Sequence, residues 1–209
     1  MQEINLGFEF TYFNTVYTEI KININGFICF GKNKACDDED NSCLGSRSTL
    51  QRPYPHDILV GLNFCLSTLS SGRIYFERLN TDTNSDYTLA KGYINVLNPS
   101  FSPSNMFVIV FDNVWPYYAS SYVAKTPASF QIFLSSNSTM SFVVFKYTSC
   151  LKGQTLFASS GLNHDNAGIL EEVNIVDGEQ CTGSNVNEKG VWVFEVTSTI
   201  PSKILKCLE

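Results

Sequence analysis

Two histidines and seven cysteines are the residues of this 209-residue chain that would supply nucleophilic or metal-binding chemistry. Cysteine–histidine catalysis needs a thiolate, a base and a group that orients the base. His164-Asp165 lies in a stretch that we predict to be a loop, and His56 follows the proline-rich segment Arg52-Pro53-Tyr54-Pro55. Neither histidine lies in a recognisable nucleophile motif, so the sequence predicts no catalytic residue.

The spacing of the cysteines favours disulfides over a metal site. No two of them have the C-x-x-C spacing of zinc sites and thioredoxin-like proteins. Disulfides indicate an oxidising, extracellular compartment. We predict three pairs, within a polar loop, between neighbouring strands and between two late loops: Cys36–Cys43, Cys29–Cys65 and Cys150–Cys181. Because seven is odd, Cys207 is expected to stay unpaired or to bond outside this chain.

An acidic segment is the candidate for metal binding. Its carboxylates form the densest charge cluster of the chain: Asp37, Asp38, Glu39 and Asp40. Hard oxygen ligands suit calcium, but the cluster lacks the EF-hand spacing and the glycine at the bend. We therefore favour a solvated loop without metal or other cofactor, and we expect millimolar calcium to leave the melting temperature unchanged.

An aromatic segment is the predicted partner-binding surface. Four large rings lie between two predicted strands without strand-like alternation: Trp115, Tyr117, Tyr118 and Tyr122. We expect a loop here, with Asp112 and Asn113 adding polar specificity at the end of the preceding strand. Aromatic side chains in loops add contact area at low entropic cost. The alternative is that these rings fold back over the end of the core.

Strands must position these residues, because apolar residues alternate with polar ones through most of the chain. The predicted strands are Phe8 to Tyr12, Ile20 to Phe30, Ile58 to Leu66, Arg73 to Leu79, Phe107 to Phe111, Leu156 to Gly161 and Val191 to Val196. Gly26 marks a bulge or a tight approach. A hairpin is predicted to join Phe130–Leu134 to Met140–Tyr147 through a turn that contains the standard glycosylation sequon at Asn137.

One helix is predicted at about residues 86–97. Its apolar residues recur with helical period: Leu89, Ala90, Tyr93, Ile94 and Leu97. Asp86 is expected to cap the helix and Pro99 to stop it. Many strands with one helix predict a mainly β, sandwich-like domain with one short helix and disulfide-linked loops.

Composition narrows the classes of partner and of location. The formal net charge of −6 argues against nucleic acid. No stretch approaches the roughly 20 apolar residues of a membrane span. No signal peptide is recognisable, so we interpret the chain as a piece of a larger secreted or membrane-anchored protein. Residues 1–199 are expected to form one domain and residues 200–209 a tail toward a following domain, in which Leu208-Glu209 could be a cloning scar.

Six segments, in order, resemble the NIDO domain of nidogens, tectorins and some transmembrane mucins. They are Ile22–Gly31, Phe111–Val114, Ser129–Leu134, Ser141–Tyr147, Ser160–Asn163, and the closing Asn185-Val186 with Gly190–Phe194. The chain departs from the family at Val60–Ser67, where the usual Trp and two Asp of a strand are replaced. Any role of those acids in the family is therefore not carried over.

The resemblance implies a non-enzymatic extracellular or cell-surface module for adhesion or protein interaction, in cell–matrix or cell–cell contact. Its partner would be an extracellular protein or glycan, and no direct membrane insertion is expected. The alternative is a secreted carbohydrate-binding or hydrolytic sandwich domain, since one fold hosts many functions. The aromatic segment beside Asp112 and Asn113 keeps that alternative open.

Overall fold

The computed structural model describes residues 2–31, 57–63, 66–68, 71–80, 84–116, 126–150, 159–166, 169–175 and 179–198. The strands in these ranges are β1 (Gln2–Tyr12), β2 (Thr15–Asn23), β3 (Phe27–Phe30), β4 (Ile58–Asn63), β5 (Leu66–Ser67), β6 (Arg73–Leu79), β7 (Asn105–Pro116), β8 (Ala128–Ser136), β9 (Ser141–Ser149), β10 (Ser159–Asn166), β11 (Ile169–Ile175) and β12 (Val191–Glu195). One helix, α1 (Ser85–Leu97), lies between β6 and β7. The mainly β class with one short helix is confirmed.

The strands form two antiparallel sheets. The first sheet has the order β1-β2-β3-β4-β10-β11. The second has the order β12-β9-β8-β7-β5, and β6 pairs with the same strand β7 along Met106–Asp112. The strand β5 pairs with β7 further along, at Trp115–Pro116. Strand β7 therefore connects the rest of the second sheet to the short strand β5 and to β6.

Alternation along the strands builds the main core between the two sheets. In β7, Phe107, Ile109 and Phe111 face the first sheet and are buried in this core. Phe111 stacks on Phe130 of β8 with their ring centroids 4.5 Å apart. Burial of one such ring stabilises a fold by about 1.5–3 kcal/mol relative to leaving it exposed.

The second sheet is buried on its other face as well. The alternate residues Met106, Val108 and Val110 belong to a second apolar cluster that includes Ala90 and Ile94 of α1. A sheet covered on both faces requires continuous apolar runs, because neither row of side chains meets water. That requirement explains the unbroken apolar run at the start of β7.

Helix α1 begins one residue earlier than predicted and has a different cap. The side chain of Asn84 accepts hydrogen bonds from the backbone N–H groups of Asp86 (2.8 Å) and Tyr87 (3.3 Å). Asp86, the predicted cap, instead lies in the first turn, where its charge favours the positive end of the helix dipole. Asn98 ends the helix immediately before Pro99.

The strand predicted at Ile20 to Phe30 is two strands, β2 and β3, joined by a turn at residues 24–26. Gly26 has φ +86°, and a Cβ built on it would lie 2.2 Å from the carbonyl oxygen of Leu62. The carbonyl of Gly26 accepts hydrogen bonds from the N–H groups of Gly61 and Leu62. The predicted tight approach at Gly26 is confirmed, and it joins the hairpin to β4.

Other boundaries also differ from the prediction. Arg73–Leu79 is the strand β6, as expected. The predicted strand Ile58 to Leu66 divides between the sheets, into β4 and β5. The predicted strand at Phe107 continues to Pro116, past a bulge between Phe111 and Val114. The described part of the strand predicted at Leu156 to Gly161 lies in β10, which continues to Asn166, and β11 was not predicted at all.

The turn between β1 and β2 joins the two sheets at one end. Phe13 and Asn14 both have positive φ angles, 45° and 65°, as a two-residue hairpin turn of type I′ requires. The N–H of Phe13 donates to the carbonyl of Val196 (2.7 Å), and the N–H of Asn14 donates to that of Thr197 (2.8 Å). The side-chain amide of Asn14 donates to the carbonyl of Ser198 at 2.7 Å.

Candidate functional site

A tyrosine–aspartate–histidine network, in which the aspartate and the histidine are buried and the tyrosine is half-buried, connects three strands of the first sheet. Nδ1 of His164, on β10, lies 2.6 Å from Oδ1 of Asp57, which directly precedes β4. The hydroxyl of Tyr17, on β2, donates to Oδ2 of the same carboxylate at 2.5 Å. The prediction that His164 lies in a loop is wrong, because residues 160–166 pair with β11 throughout.

The surroundings of this network favour a structural role. His164 and Asp57 are only 8% and 7% exposed, so both side chains lie largely within the fold. The ring of Phe13 packs against the imidazole at a centroid distance of 4.8 Å. Burial and the hydrogen bond to Asp57 raise the pKa of Tyr17, so its hydroxyl remains a proton donor. The network therefore holds β2, β4 and β10 together.

Of the residues predicted to bind a partner, Asp112, Asn113 and Trp115 lie at the far end of β7. Asn113 forms the bulge with φ +51°, and its side-chain amide donates to Oγ of Ser71. Its backbone N–H donates to Oγ of Ser129 at 2.9 Å. The backbone of Asp112 stands opposite Arg73 of β6. The structure thus brings Asp112 and Asn113 to β6.

Trp115 lies in a strand and not in the predicted loop. It pairs with Ser67 of β5, and its side chain is half-buried. Its indole Nε1 is buried and has no hydrogen-bond partner among the residues that the structure describes, an arrangement that costs free energy unless another group supplies an acceptor. Tyr117, Tyr118 and Tyr122 lie outside the residues that the structure describes.

An open groove of about 760 Å³, here called the β6 groove, lies between β6 and the first sheet. Its lining residues come from both sheets and from the chain before β6: Gln2, Ile22, Ile24, Thr68, Gly72, Arg73, Ile74, Tyr75 and Phe76. Three of these carry large exposed apolar side chains, with 43% of Ile24, 51% of Tyr75 and 37% of Phe76 accessible. Exposed apolar clusters of this kind mark interaction surfaces.

Sequence reasoning did not single out the β6 groove. The available signal was the apolar run Ile74-Tyr75-Phe76 between the charged residues Arg73 and Glu77. Consecutive residues point to opposite faces of a strand, so such a run places large apolar side chains on both faces. In β6, Ile74 packs against the main core, whereas half of Tyr75 remains in water.

One predicted disulfide is present in the described part of the chain. Cys150 bonds Cys181, with an S–S distance of 2.00 Å and 6.1 Å between the Cα atoms. Cys29 is also disulfide-bonded. Its predicted partner Cys65 and the remaining cysteines, Cys36, Cys43 and Cys207, lie outside the described residues.

The predicted acidic cluster, Asp37 to Asp40, also lies outside the described residues. Within them, no group of three or more His, Cys, Asp or Glu side chains could hold a metal ion. No helix in those same ranges is long and apolar enough to cross a membrane.

The predicted glycosylation site lies at the tip of the β8–β9 hairpin. The side-chain oxygen of Asn137 accepts hydrogen bonds from the N–H groups of Thr139 and Met140, both at 2.9 Å. Its amide nitrogen donates to the carbonyl of Ser102 at 3.3 Å. Ser138 and Thr139 are exposed, so the sequon lies at the surface of the domain.

Comparison with known proteins gives one family and one curated relative. The sequence profile of the nidogen-like domain matches residues 18–198. Alpha-tectorin of Gallus gallus is 26% identical over 217 aligned residues, which cover 93% of this chain and 10% of that protein. The chain therefore spans about a tenth of the length of the curated relative that it matches. No solved structure matches the chain.

Proposed function

The chain belongs to the nidogen-like domain family, and on that basis we propose that it is an extracellular interaction module of a larger protein. Its proposed role is adhesion between cells, or between a cell and matrix, without catalysis of its own. The family match over residues 18–198 is the observation that carries this proposal. The similarity to Alpha-tectorin along nearly the whole chain supports a module of matrix type.

The disulfides support the extracellular location. Cys150 and Cys181 are bonded, and Cys29 takes part in a further disulfide. Disulfides persist in oxidising compartments and are rare where glutathione keeps thiols reduced. The net charge of −6 adds support for a protein or glycan partner over nucleic acid.

The environment of His164 supports a non-catalytic role. A general base must reach the proton that it abstracts, within about 3 Å or through one water. The imidazole is instead buried against Asp57 and Phe13, and Tyr17 donates to the second oxygen of that carboxylate. These contacts occupy Nδ1 of the imidazole and both oxygens of the carboxylate.

The proposed binding surface is the β6 groove together with the adjoining end of β7. Phe76 supplies exposed aromatic area on the groove side of β6, and Tyr75 supplies it on the opposite face of the same strand, both at low entropic cost. Asp112 and Arg73 stand opposite each other at the margin of the groove, where they would add polar specificity. Aromatic side chains and arginine are enriched in energetic hot spots.

An attachment assay with matched variants tests the proposal. Beads coated with the 209-residue chain should bind to cells and matrix, and soluble chain should compete. Tyr75→Ser should weaken attachment about thirtyfold, as loss of a hot-spot side chain does. Val96→Ser on α1 is the matched control, because Val96 and Tyr75 are both 51% exposed.

Both variants should keep the melting temperature of the parent chain. Equal weakening by the two substitutions would show that the effect is not specific to the β6 groove. Coated beads that bind neither cells nor matrix would contradict the adhesive role itself.

A further inference from the structure

Strand β6 lies at an edge of the second sheet within the part of the chain that the structure describes. It pairs with β7 along one side, and four of its seven residues in succession, Tyr75 to Arg78, are exposed. A strand edge presents unpaired backbone N–H and C=O groups that can template pairing with another strand. An exposed edge strand therefore either pairs with another strand or carries features that prevent such pairing.

The side chains of β6 form two rows. Arg73, Tyr75 and Glu77 stand beside Asp112, Val110 and Val108 of β7, respectively. Val108 and Val110 belong to the cluster that contains α1, so this row faces the helix side of the sheet.

The second row, Ile74 and Phe76, stands beside Phe111 and Ile109, which face the first sheet. Phe76 also stacks near Phe107, with ring centroids 5.8 Å apart.

The sequence of β6 is complementary to itself in one antiparallel register. If Tyr75 stands opposite Tyr75 of a second copy, Arg73 stands opposite the partner's Glu77, and Ile74 opposite the partner's Phe76. The two-fold axis repeats each of these pairs. One register therefore gives two pairs of opposite charge, two apolar pairs and one aromatic pair, all of which stabilise antiparallel strands.

We propose that the β6 edge binds a second copy of this chain, with β6 strands pairing antiparallel about Tyr75 and the two second sheets becoming continuous. This inference rests on the proposed role of the β6 groove as a binding surface and names its occupant. A shift by one residue would place each apolar row against the opposite face. A shift by two residues would keep the faces matched but would separate Arg73 from the partner's Glu77, so the charge pairs favour the register centred on Tyr75.

The charges of β6 select this occupant. Glu77 stands opposite Val108 on β7, so its cross-strand neighbour within the molecule is apolar. The partner's Arg73 would place a cation beside that carboxylate. Arg73 already has Asp112 opposite it on β7, and the partner's Glu77 would extend this pair into a row of alternating charges across the interface.

The β6 groove provides room for the apolar pairs. Its volume of about 760 Å³ lies along Ile74 and Phe76, and Ile24 borders it from the first sheet. In the paired state, the partner's Phe76 lies against Ile74 at the mouth of this groove. Two exposed aromatic rings per molecule would thereby leave water.

Charge reversal tests the register directly. Sedimentation equilibrium of the 209-residue chain should show a monomer–dimer equilibrium at low salt. Arg73→Glu and Glu77→Arg each convert both ionic pairs to like charges, and each should weaken dimerisation at least about tenfold. Glu195→Arg, on the exposed end of β12, is the matched control and should leave the dimer intact.

A mixture of the two single variants tests whether Arg73 and Glu77 face each other across the interface. A chain with Arg73→Glu and a chain with Glu77→Arg carry opposite charges at every facing position, so the mixture should form heterodimers. The double variant Arg73→Glu/Glu77→Arg should regain self-association. Since Arg73→Glu also puts a glutamate beside Asp112, the melting temperature of each variant confirms folding, and Glu77→Arg alone carries the test if the other variant unfolds.

A parent chain that stays monomeric at all concentrations would overturn the inference, and so would a dimer that ignores every charge reversal. Association of the single variants only with themselves would also overturn it. A monomeric chain whose bead attachment still depends on Tyr75 would overturn the second copy as occupant and leave the proposed adhesive function standing. A charge-dependent dimer without any bead attachment would support the second copy as occupant and contradict the proposed adhesive function.

Discussion

Tyr147 shows how one buried hydroxyl makes the stability of this protein depend on pH. Its Oη donates to the carbonyl of Gly61 at 2.6 Å, and Oγ of Ser160 donates to the same carbonyl at 2.7 Å. Burial raises the pKa of Tyr147 above its usual value of 10.0. The folded state therefore holds the phenol proton at pH values where the unfolded chain has released it.

Alkaline unfolding should report this proton. Because the folded pKa is raised, the stabilisation by Tyr147 is complete below pH 10 and is lost as the pH rises toward the folded pKa. Above pH 10, the free energy of unfolding should fall by about 1.4 kcal/mol per pH unit through this group. Tyr147→Phe should lower the free energy of unfolding at pH 7 by about 1 kcal/mol, because the hydrogen bond of the hydroxyl is lost. Above pH 10, its free energy of unfolding should fall less steeply than that of the parent chain, by about 1.4 kcal/mol per pH unit. Urea unfolding at several pH values measures both, and equal slopes would contradict the assignment.

At the scale of single residues, the sequence predicted types of chemistry better than positions. It identified Cys150–Cys181 and the exposed sequon. It did not identify the contact of His164 with Asp57, because the two residues are 107 positions apart and no local pattern connects them. It placed Trp115 in a loop because the segment from Trp115 to Tyr122 lacks alternation, and no local pattern shows that β7 continues past the bulge at Asn113.

The β2–β3 hairpin shows how one glycine controls an element. Gly26 combines φ +86° with backbone contact against Leu62, and its carbonyl accepts two hydrogen bonds from β4. No side chain fits there without movement of backbone, since the contact is with a carbonyl oxygen and not with a flexible side chain.

Two glycine-to-alanine changes should have opposite effects. Gly26→Ala should destabilise the fold by about 3 kcal/mol or more, because it adds both backbone strain and a clash. Gly92→Ala should stabilise it by about 0.5–1 kcal/mol, because Gly92 lies within α1 with no atom near its missing Cβ. Thermal and urea unfolding of the pair decide this. A neutral Gly26→Ala would show that the turn relaxes, and the close approach to β4 would not be required.

At the scale of elements, patterns that repeat locally were predictable. The strand Arg73–Leu79 follows the turn formers Ser70-Ser71-Gly72, and the β8–β9 hairpin has apolar, strand-forming segments joined by turn residues. The division of Ile20–Phe30 into two strands was missed because Ile24 and Ile28 keep the alternation across the turn. Strand β11 was missed because its sequence does not alternate: two apolar residues, Ile169-Leu170, are followed by two charged ones, Glu171-Glu172.

At the scale of the whole molecule, a covalent link joins β9 to the turn before β12. Cys150 and Cys181 are 31 residues apart, and the segment between them contains β10 and β11 of the other sheet. The bond therefore closes a covalent loop around the segment that leaves the second sheet after β9 and returns to it before β12.

Removing this link should lower stability without changing the fold. Replacing both cysteines by serine frees a loop of about 30 residues in the unfolded chain, which costs about 3–4 kcal/mol on the chain-entropy model. Urea unfolding of Cys150→Ser/Cys181→Ser against the parent chain measures the loss. Far-ultraviolet circular dichroism should stay the same. A loss below about 1 kcal/mol would indicate that the unfolded chain is already restricted in this region.

The turn between β1 and β2 has a mechanical consequence. The carbonyls of Val196, Thr197 and Ser198 accept hydrogen bonds from Phe13 and Asn14, and these three residues come after the last residue of β12. Tension applied to the chain at Ser198 therefore loads these hydrogen bonds before it loads β12. The force passes into the first sheet through the β1–β2 hairpin. Strand β12, at the edge of the second sheet, should therefore not separate from β9 until the hydrogen bonds to Phe13 and Asn14 have broken.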